Sequence, residues 1–477
     1  MTNRLATPRS VHPRRALLPL ALLAALAPAA AAHAQDATRV IPPSGVIGTR
    51  DEMLTPDYWI ARAPSPDTVL LTPAEVDARN RQTFATDPNF HDLSRLAPTV
   101  SRERILAWIK ESGTLPATPP VDAANRPIPA ATLAAITANT AADAIPASVT
   151  VRYGMALRRA QLRTLPTALR AFPGKDLTDF EVFQGGTLFP GDPVAILHTS
   201  RDREWLLVLS EQGPVWVRPA DIAEGSAAEI LSYRQRGAGR VVTGDKVLTV
   251  FTPEAPALSE LQLDMGTRVP LADLPPDQPV NGEGPYQSWT VLLPERGADG
   301  RLHFAPALVP KTRDTAPDYL PLTRANIIRQ AFKFLGERYG WGHLYNSRDC
   351  SGFTSDTYHS MGVILPANSG QQGQTPAVRH QLFTAADGHE ARVAAVMAAD
   401  IGDLIVVPGH VLMILGKVDG QPYVIQDVPY AVFREPSGKL RMTKTNQVSV
   451  TPLLPLLATP DQSYVDAMTS LVHVTAR

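Results

Sequence analysis

The chain has 477 residues, with 45 lysines and arginines against 46 aspartates and glutamates and a formal net charge of −1. A near-neutral chain offers no electrostatic footprint for a polyanion, which argues against a nucleic-acid partner. The length suits about three domains of ~100–200 residues. Its 45 prolines, nearly twice the usual share of about 5%, predict short elements joined by fixed turns.

Taken in chain order, the first segment reads as an export signal. Arg14 and Arg15 precede the apolar run ALLPLALLAALAPAAAAHA, which closes on Ala32-His33-Ala34. A basic start, a short apolar stretch and small residues at the cut define a secretory signal peptide, here residues 1–34 with cleavage after Ala34. Pro19 and Pro28 interrupt the run before it reaches the about 20 apolar residues of a membrane span. The mature protein is therefore expected to be exported, periplasmic or in the cell envelope, without a membrane span.

Residues 35–148 read as a helical N-terminal region with a Pro/Ala-rich linker. Thr72-Pro73 with Glu75 is a capping-box signature. Ser101 caps a second helical pattern, with apolar residues at 105, 106, 108 and 109 and Gly113 at its end. From about 149 the period changes to that of strands. DPVAILHTS, EWLLVLSEQ and PVWVRPADIA are short β-type runs separated by turn residues, predicting a small barrel over 149–228. GRVVTGDKVLTVF, LQLDMGTRVPL, QSWTVLLPE and LHFAPALVP predict a second over 229–315. Trp205, Trp216 and Trp289 are expected in the barrel cores.

The last segment, 316–477, begins with a helix capped by Thr323 and ended by Gly336. A loop, YGWGHLYNSRD, leads to Cys350, the only cysteine of the chain, and a further helix. DLIVVPG, HVLMILGKV and PYVIQDV follow as strands, the last two joined by an Asp419-Gly420 turn. Helix first and antiparallel strands after is an α+β arrangement.

An unpaired cysteine in an exported chain is either an inert core residue or a functional thiol. At the first turn of a helix its thiolate is expected to be favoured by unpaired N–H groups and the helix dipole. A nucleophilic thiol needs a base, and the base an orienting acceptor. His410, at a strand start after a Pro-Gly turn, is the candidate base. Gln426, on the adjacent strand, is the candidate acceptor; strand alternation turns Asp427 to the opposite face. No grouping of histidine, cysteine and carboxylates has zinc-ligand spacing, so neither a metal nor another cofactor is expected.

Tyr339, Trp341-Gly342, Asp349-Cys350-Ser351-Gly352, Gly402-Asp403-Leu404 and His410-Val411, in this order, resemble the NlpC-type family of papain-like cell-wall cysteine peptidases. The upstream segments resemble the helical N-terminal region and paired bacterial SH3-like domains of multidomain relatives. The resemblance implies a papain-like α+β catalytic domain with Cys350 as nucleophile, His410 as general base and Gln426 as third member. It further implies that Tyr339 helps stabilise the tetrahedral intermediate, and that Asp349, Ser351 and Trp341 contact substrate. The sequence departs from the family pattern at His343, which stands where relatives have a second glycine, and at Gln426, where many have histidine. The implied partners are peptidoglycan stem peptides or muropeptides, cleaved at the γ-D-glutamyl to diaminopimelate bond by a monomer. An amidase or acyltransferase using the same thiol, and a non-enzymatic wall-binding scaffold, are the alternatives.

Overall fold

The computed structural model describes residues 46–435 and 437–476; the expected export signal lies outside them. Among the described residues four α-helices precede the first β unit: α1 Pro56–Ile60, α2 Pro73–Thr86, α3 Arg102–Ser112 and α4 Ala130–Asn139. The capping box at Thr72 forms in full, Thr72 and Glu75 each bonding the other's backbone N–H, and Ser101 caps α3 by accepting from Arg104 N–H.

These helices are divided among three cores, α4 burying Leu133 and Ile136 beside Leu165, Ala171 and Phe183. Trp59 of α1 is almost fully buried beside Met53, Leu71 and Val76, against Ile327, Met413 and Tyr423 of the C-terminal domain. Its Nε1–H donates to Met53 O at 2.7 Å, and its ring lies 5.4 Å from that of Tyr423. Asn80 of α2 clamps the chain after the Cys350 helix by donating to Gly362 O (2.7 Å) and accepting from Ile364 N–H (3.2 Å). In contrast, Ile105, Trp108 and Ile109 of α3 pack against the first β unit. Helical periodicity fixes the apolar face of each element; the partner that covers it is set by the fold.

The first β unit comprises β1 Arg152–Ala156, β2 Ala160–Arg163, β3 Gln184–Leu188, β4 Pro193–Thr199, β5 Leu206–Ser210, β6 Gly213–Val217 and β7 Ile222–Gly225. Among the described residues they form one antiparallel sheet in the order β3-β2-β6-β5-β4-β1-β7. Alternation sorts the side chains. Val194, Ile196 and Val208 bury on one face, and Ala195, Leu197, Leu207 and Leu209 on the other, where Trp205 and Trp216 pack under α3. The Arg163–Glu181 ion pair is buried; Arg163 also donates to Thr167 O and Leu169 O, while Glu181 accepts from Ala171 and Phe183 N–H. This pair holds the 163–183 loop, and with it Phe180.

The second β unit has a single core around Val242, Val247, Leu263, Val269, Val291, Leu293, Ala307 and Val309. Its strands pair in small sheets, the longest being Ser288–Arg296 with Leu302–Pro310. Trp289 sits at the edge of this core, covered by the Arg240 guanidinium at 4.2 Å.

The C-terminal domain carries α5 Arg324–Phe332, α6 Cys350–His359, α7 His389–Ala398 and α8 Tyr464–Ala467. Its strands are β8 His380–Leu382, β9 Leu404–Val407, β10 His410–Val418, β11 Gln421–Arg434, β12 Leu440–Pro452 and β13 Ser470–Val472. The sheet order is β8-β13-β9-β10-β11-β12. Helices α5 and α6 cover the face carrying Val411, Met413 and Ile425, and α7 and α8 cover the face carrying Leu412, Ile414 and Val424. Asp419 and Gly420, both in the left-handed region, make the turn between β10 and β11.

A fully buried guanidinium ties this domain to the two β units. Arg348 donates to Asp356 Oδ2 at 2.6 Å, to Glu337 Oε1 at 2.8 Å, to Asp264 Oδ1 at 3.3 Å and to Asp245 O at 3.1 Å. Arg159 of the first unit pairs with Asp264 and donates to His343 O and Ser347 O, and Lys246 pairs with Glu337. Burial alone would raise the Asp356 carboxyl, but Arg348 and His343 hold it well below the usual range. Removing one member of such a buried group costs about 3–5 kcal/mol. Arg348→Met is therefore expected to lower the unfolding midpoint by an amount of that order, measured by thermal or denaturant melting, because three carboxylates lose their central cation.

Candidate active site

The loop before α6 is bent through a run of left-handed residues: Gly342 (φ 56°), His343 (66°), Tyr345 (60°) and Asn346 (56°). Such geometry is costly for non-glycine residues and persists only when its surroundings impose it. Two devices do so. Gln184 of β3 donates to Gly342 O at 2.8 Å, and a Cβ at Gly342 would meet Gln184 Cγ at 2.7 Å. The Asp349 carboxylate accepts from Gly342 N–H (2.9 Å), Gly352 N–H (2.8 Å) and the Ser351 hydroxyl (3.1 Å). Asp349 thus caps α6 and ties the loop to it.

Cys350 opens α6 and is 4% exposed. Its sulfur meets the backbone N–H groups of Ser351 and of Val411, the residue after His410, and both favour the thiolate. Burial and the negative charges of Asp349 and Asp427 outweigh them, and push the thiol well above its ordinary value. The expectation of a thiolate favoured by the helix terminus is therefore corrected: enclosure dominates the dipole in the resting site.

His410 begins β10 after the left-handed Gly409. Its Nε2 donates to Gln426 Oε1 at 2.8 Å, and Gln426 Nε2 donates to Thr451 Oγ1 at 2.8 Å. The amide oxygen can only accept, so the ring carries its proton on Nε2 and leaves Nδ1 with a free lone pair. Burial lowers His410 to about 4, with the Gln426 bond and Asp349 opposing. The imidazole is neutral at ordinary pH.

Tyr339 is 3% exposed, and its phenol is raised by burial and by Cys350, Asp349 and Asp427. Phe180 meets Tyr339 edge-on at 5.9 Å and Trp341 at 5.3 Å. A cleft beside His410 is lined by Phe180, Tyr339, Val407, Pro408, Val428 and Tyr464, among others. Cys350, His410, Gln426, Tyr339 and Asp349 are thus brought together. Ser351 is buried against Asp349 and Trp341 stands against Phe180. The departure at His343 is a packing one, for its ring lies between Phe189 (5.7 Å) and the start of α6. His359 is half-buried, and desolvation lowers it to about 4.

Asp427 is fully buried with neither carboxylate oxygen hydrogen-bonded, and burial followed by Asp349 and Glu337 raises it well above the usual carboxyl range. Sequence reasoning gave it no role. Phe180, Tyr464 and Val428 were missed as well; of these only Tyr464 carried a local signal, the Ser463-x-x-Asp466 helix start. Among the described residues no group of three or more histidines, cysteines and carboxylates is arranged to hold a metal ion, and no helix is long and apolar enough to cross a membrane.

Comparison with known proteins joins this geometry to its relatives. Residues 170–218 match the SH3 domain (SH3b1 type), and residues 336–431 match the NlpC/P60 family. The fold resembles that of an NlpC/P60 endopeptidase from Photobacterium damselae subsp. piscicida, with TM-score 0.67 and 16% identity over 86% of this chain and 94% of that one. An NlpC/P60 family protein from Bacillus cereus aligns with TM-score 0.46 and 20% identity over 68% of this chain and 99% of that one. No curated protein matches the sequence. The chain therefore combines an SH3b domain with a C-terminal mixed α/β domain of the cysteine-peptidase class. Its C-terminal domain is of the NlpC/P60 type, the type of the cysteine peptidases that hydrolyse peptidoglycan.

Two outcomes follow from these environments. A histidine held neutral by the fold binds fewer protons than in the unfolded chain, so its contribution is complete above 6.5 and is lost as pH falls toward about 4. Melting temperature is expected to drop across that window, and replacing His359 by Gln to flatten the drop. Separately, Asp427→Asn removes a like charge near the sulfur. The pH midpoint of Cys350 alkylation by iodoacetamide is expected to move down, and an unchanged or raised midpoint would contradict this.

Proposed function

We propose that the protein hydrolyses the γ-D-glutamyl to diaminopimelate bond of peptidoglycan stem peptides, with Cys350 as nucleophile and His410 as base. The observation that carries this reading is the His410–Gln426 hydrogen bond set directly beside a helix-borne cysteine whose sulfur meets the Val411 N–H. With the thiol raised and the imidazole neutral, the resting pair holds its proton on sulfur. His410 Nδ1 takes that proton as the sulfur attacks the peptide carbonyl. Gln426 keeps the ring in the Nε2–H tautomer and supports the imidazolium that forms. The tetrahedral oxyanion is met by the Cys350 N–H and the Tyr339 hydroxyl. Nδ1 then gives the proton to the departing amine. Water, deprotonated by the same nitrogen, attacks the thioester and releases the acid and the free thiol.

The SH3b domain contributes a wall of the cleft through Phe180, and residues 229–315 read as a second SH3-like unit. Both favour a peptide end over a cross-linked strand as substrate. The amino-terminal run supports export, so this work is assigned to the periplasm or cell envelope and to a monomer. Purified protein given L-Ala-γ-D-Glu-diaminopimelate is expected to release the L-Ala-D-Glu dipeptide, and Cys350→Ala to release none. Undiminished release by that variant, or an intact peptide with the parent protein, defeats the reading.

A further inference from the structure

We infer that Tyr464 is a positioning residue for His410, and that the C-terminal segment 457–467 is a built wall of the active-site cleft. The inference rests on the reading of Cys350 and His410 given above. Tyr464 lies outside the segment that matches the NlpC/P60 family, 336–431, yet its ring centroid is 6.0 Å from that of His410, with the planes inclined at 58°. That separation is within the range of direct aromatic packing. The side chain is 7% exposed, and it shares the cleft lining with Tyr339, His410 and, from its own segment, Ala458. Its phenol oxygen is near enough to Cys350 for the sulfur's charge to act on it. Two tyrosines from distant parts of the chain therefore converge on one thiol.

The ring is fixed from behind. Tyr464 N–H donates to Leu456 O at 2.9 Å, and Ser463 Oγ caps α8 by accepting from Asp466 N–H at 3.0 Å. Asp466 in turn accepts from Ser463 Oγ (2.6 Å) and faces His389 Nδ1 of α7 at 2.7 Å. Val465 and Met468 bury against the sheet face that carries Leu412 and Ile414, on the strand that begins with His410. The tyrosine is thus referenced to the same strand as the imidazole, and the two rings keep their mutual placement without any contact with substrate.

The imidazole needs such a neighbour. One hydrogen bond, Nε2–H to Gln426 Oε1, fixes an axis but leaves the ring free to turn about it, since the outer torsion of histidine is broad. A buried aromatic plane beside the ring restricts that turn and keeps water off the Nε2···Oε1 bond, so Nδ1 stays aimed at the sulfur. Besides burial, Gln426 and Asp349 act on the charge of His410, with the Tyr464 ring packed beside it; the Asp349 oxygens are engaged by Gly342, Ser351 and Gly352. Removing the ring admits water, which favours the charged imidazolium and moves the acid limb of activity upward from the about 4 that burial imposes.

The test compares Tyr464→Ala and Tyr464→Phe with the parent on L-Ala-γ-D-Glu-diaminopimelate across pH, with iodoacetamide alkylation of Cys350 as a readout independent of turnover. The alanine variant is expected to lose about 10- to 100-fold in kcat with a smaller change in KM, to shift its acid limb to higher pH, and to change the pH profile of Cys350 alkylation. The phenylalanine variant keeps the ring and is expected to stay within about threefold of the parent in all three. Should the alanine variant melt early, Tyr464→Leu, which keeps the bulk packed against Met468 and Val465, takes its place with the same expectations. An alanine or leucine variant with parental kcat, acid limb and alkylation profile overturns the inference, as does a phenylalanine variant as impaired as alanine. A parent protein inert toward the peptide sinks the proposed reaction instead, while the alkylation profiles still decide the role of Tyr464.

Discussion

The geometry of this site depends on one buried guanidinium. Arg348 lies two residues before Cys350, is fully enclosed, and is held by Asp356 from α6, Glu337 from the segment preceding the loop, and Asp264 from the second β unit. Burying an ion pair confers little net stability over an apolar substitute, because desolvation consumes most of the attraction. What the arrangement fixes is position. Arg159 and Lys246 complete a group in which Asp264, Glu337 and Asp356 face Arg348, Arg159 and Lys246. Any displacement of the loop would leave a charge unmatched in a low-dielectric interior. The left-handed residues at 342–346 are tolerated under that constraint, and α6 begins where the constraint ends.

Asp427 stands outside this balance. It is buried next to Gln426 on β11, has no hydrogen-bonded oxygen, and adds to the like charge around the sulfur. Together with enclosure it explains why a cysteine at a helix terminus rests as a thiol here. The helix dipole is a surface-scale effect of about 0.3–1 kcal/mol, rising to ~2 kcal/mol in favourable sites; desolvation of a buried anion is larger. In the proposed mechanism activation of the sulfur falls to His410, which the same burial keeps neutral and able to accept a proton.

Much of the site could be read from the sequence because its residues stand at marked element ends. Pro408-Gly409 flags the start of the strand bearing His410, Asp419-Gly420 flags the hairpin, and alternation from there sets Gln426 against His410. Asp349 followed by Ser351-Gly352 marks a capped helix. Other parts leave little trace of their place in the site. Arg348 looks like any loop arginine, and Phe180 and Tyr464 acquire meaning only when segments far apart in sequence meet. Strand β12 escaped notice because its first half, LRMTKTNQ, is half-exposed and polar and lacks apolar alternation. The N-terminal helices were legible as helices, yet Trp59 and Trp108 bury in different cores, a distinction carried by the partners and absent from the helix pattern itself.

The cleft draws its walls from positions as far apart as 180 and 464. Contacts of such long sequence separation form late, after local helices and hairpins, because the chain must first pay the entropy of closing large loops. Until residues near 464 have emerged and docked, the nascent polypeptide lacks that wall of the cleft.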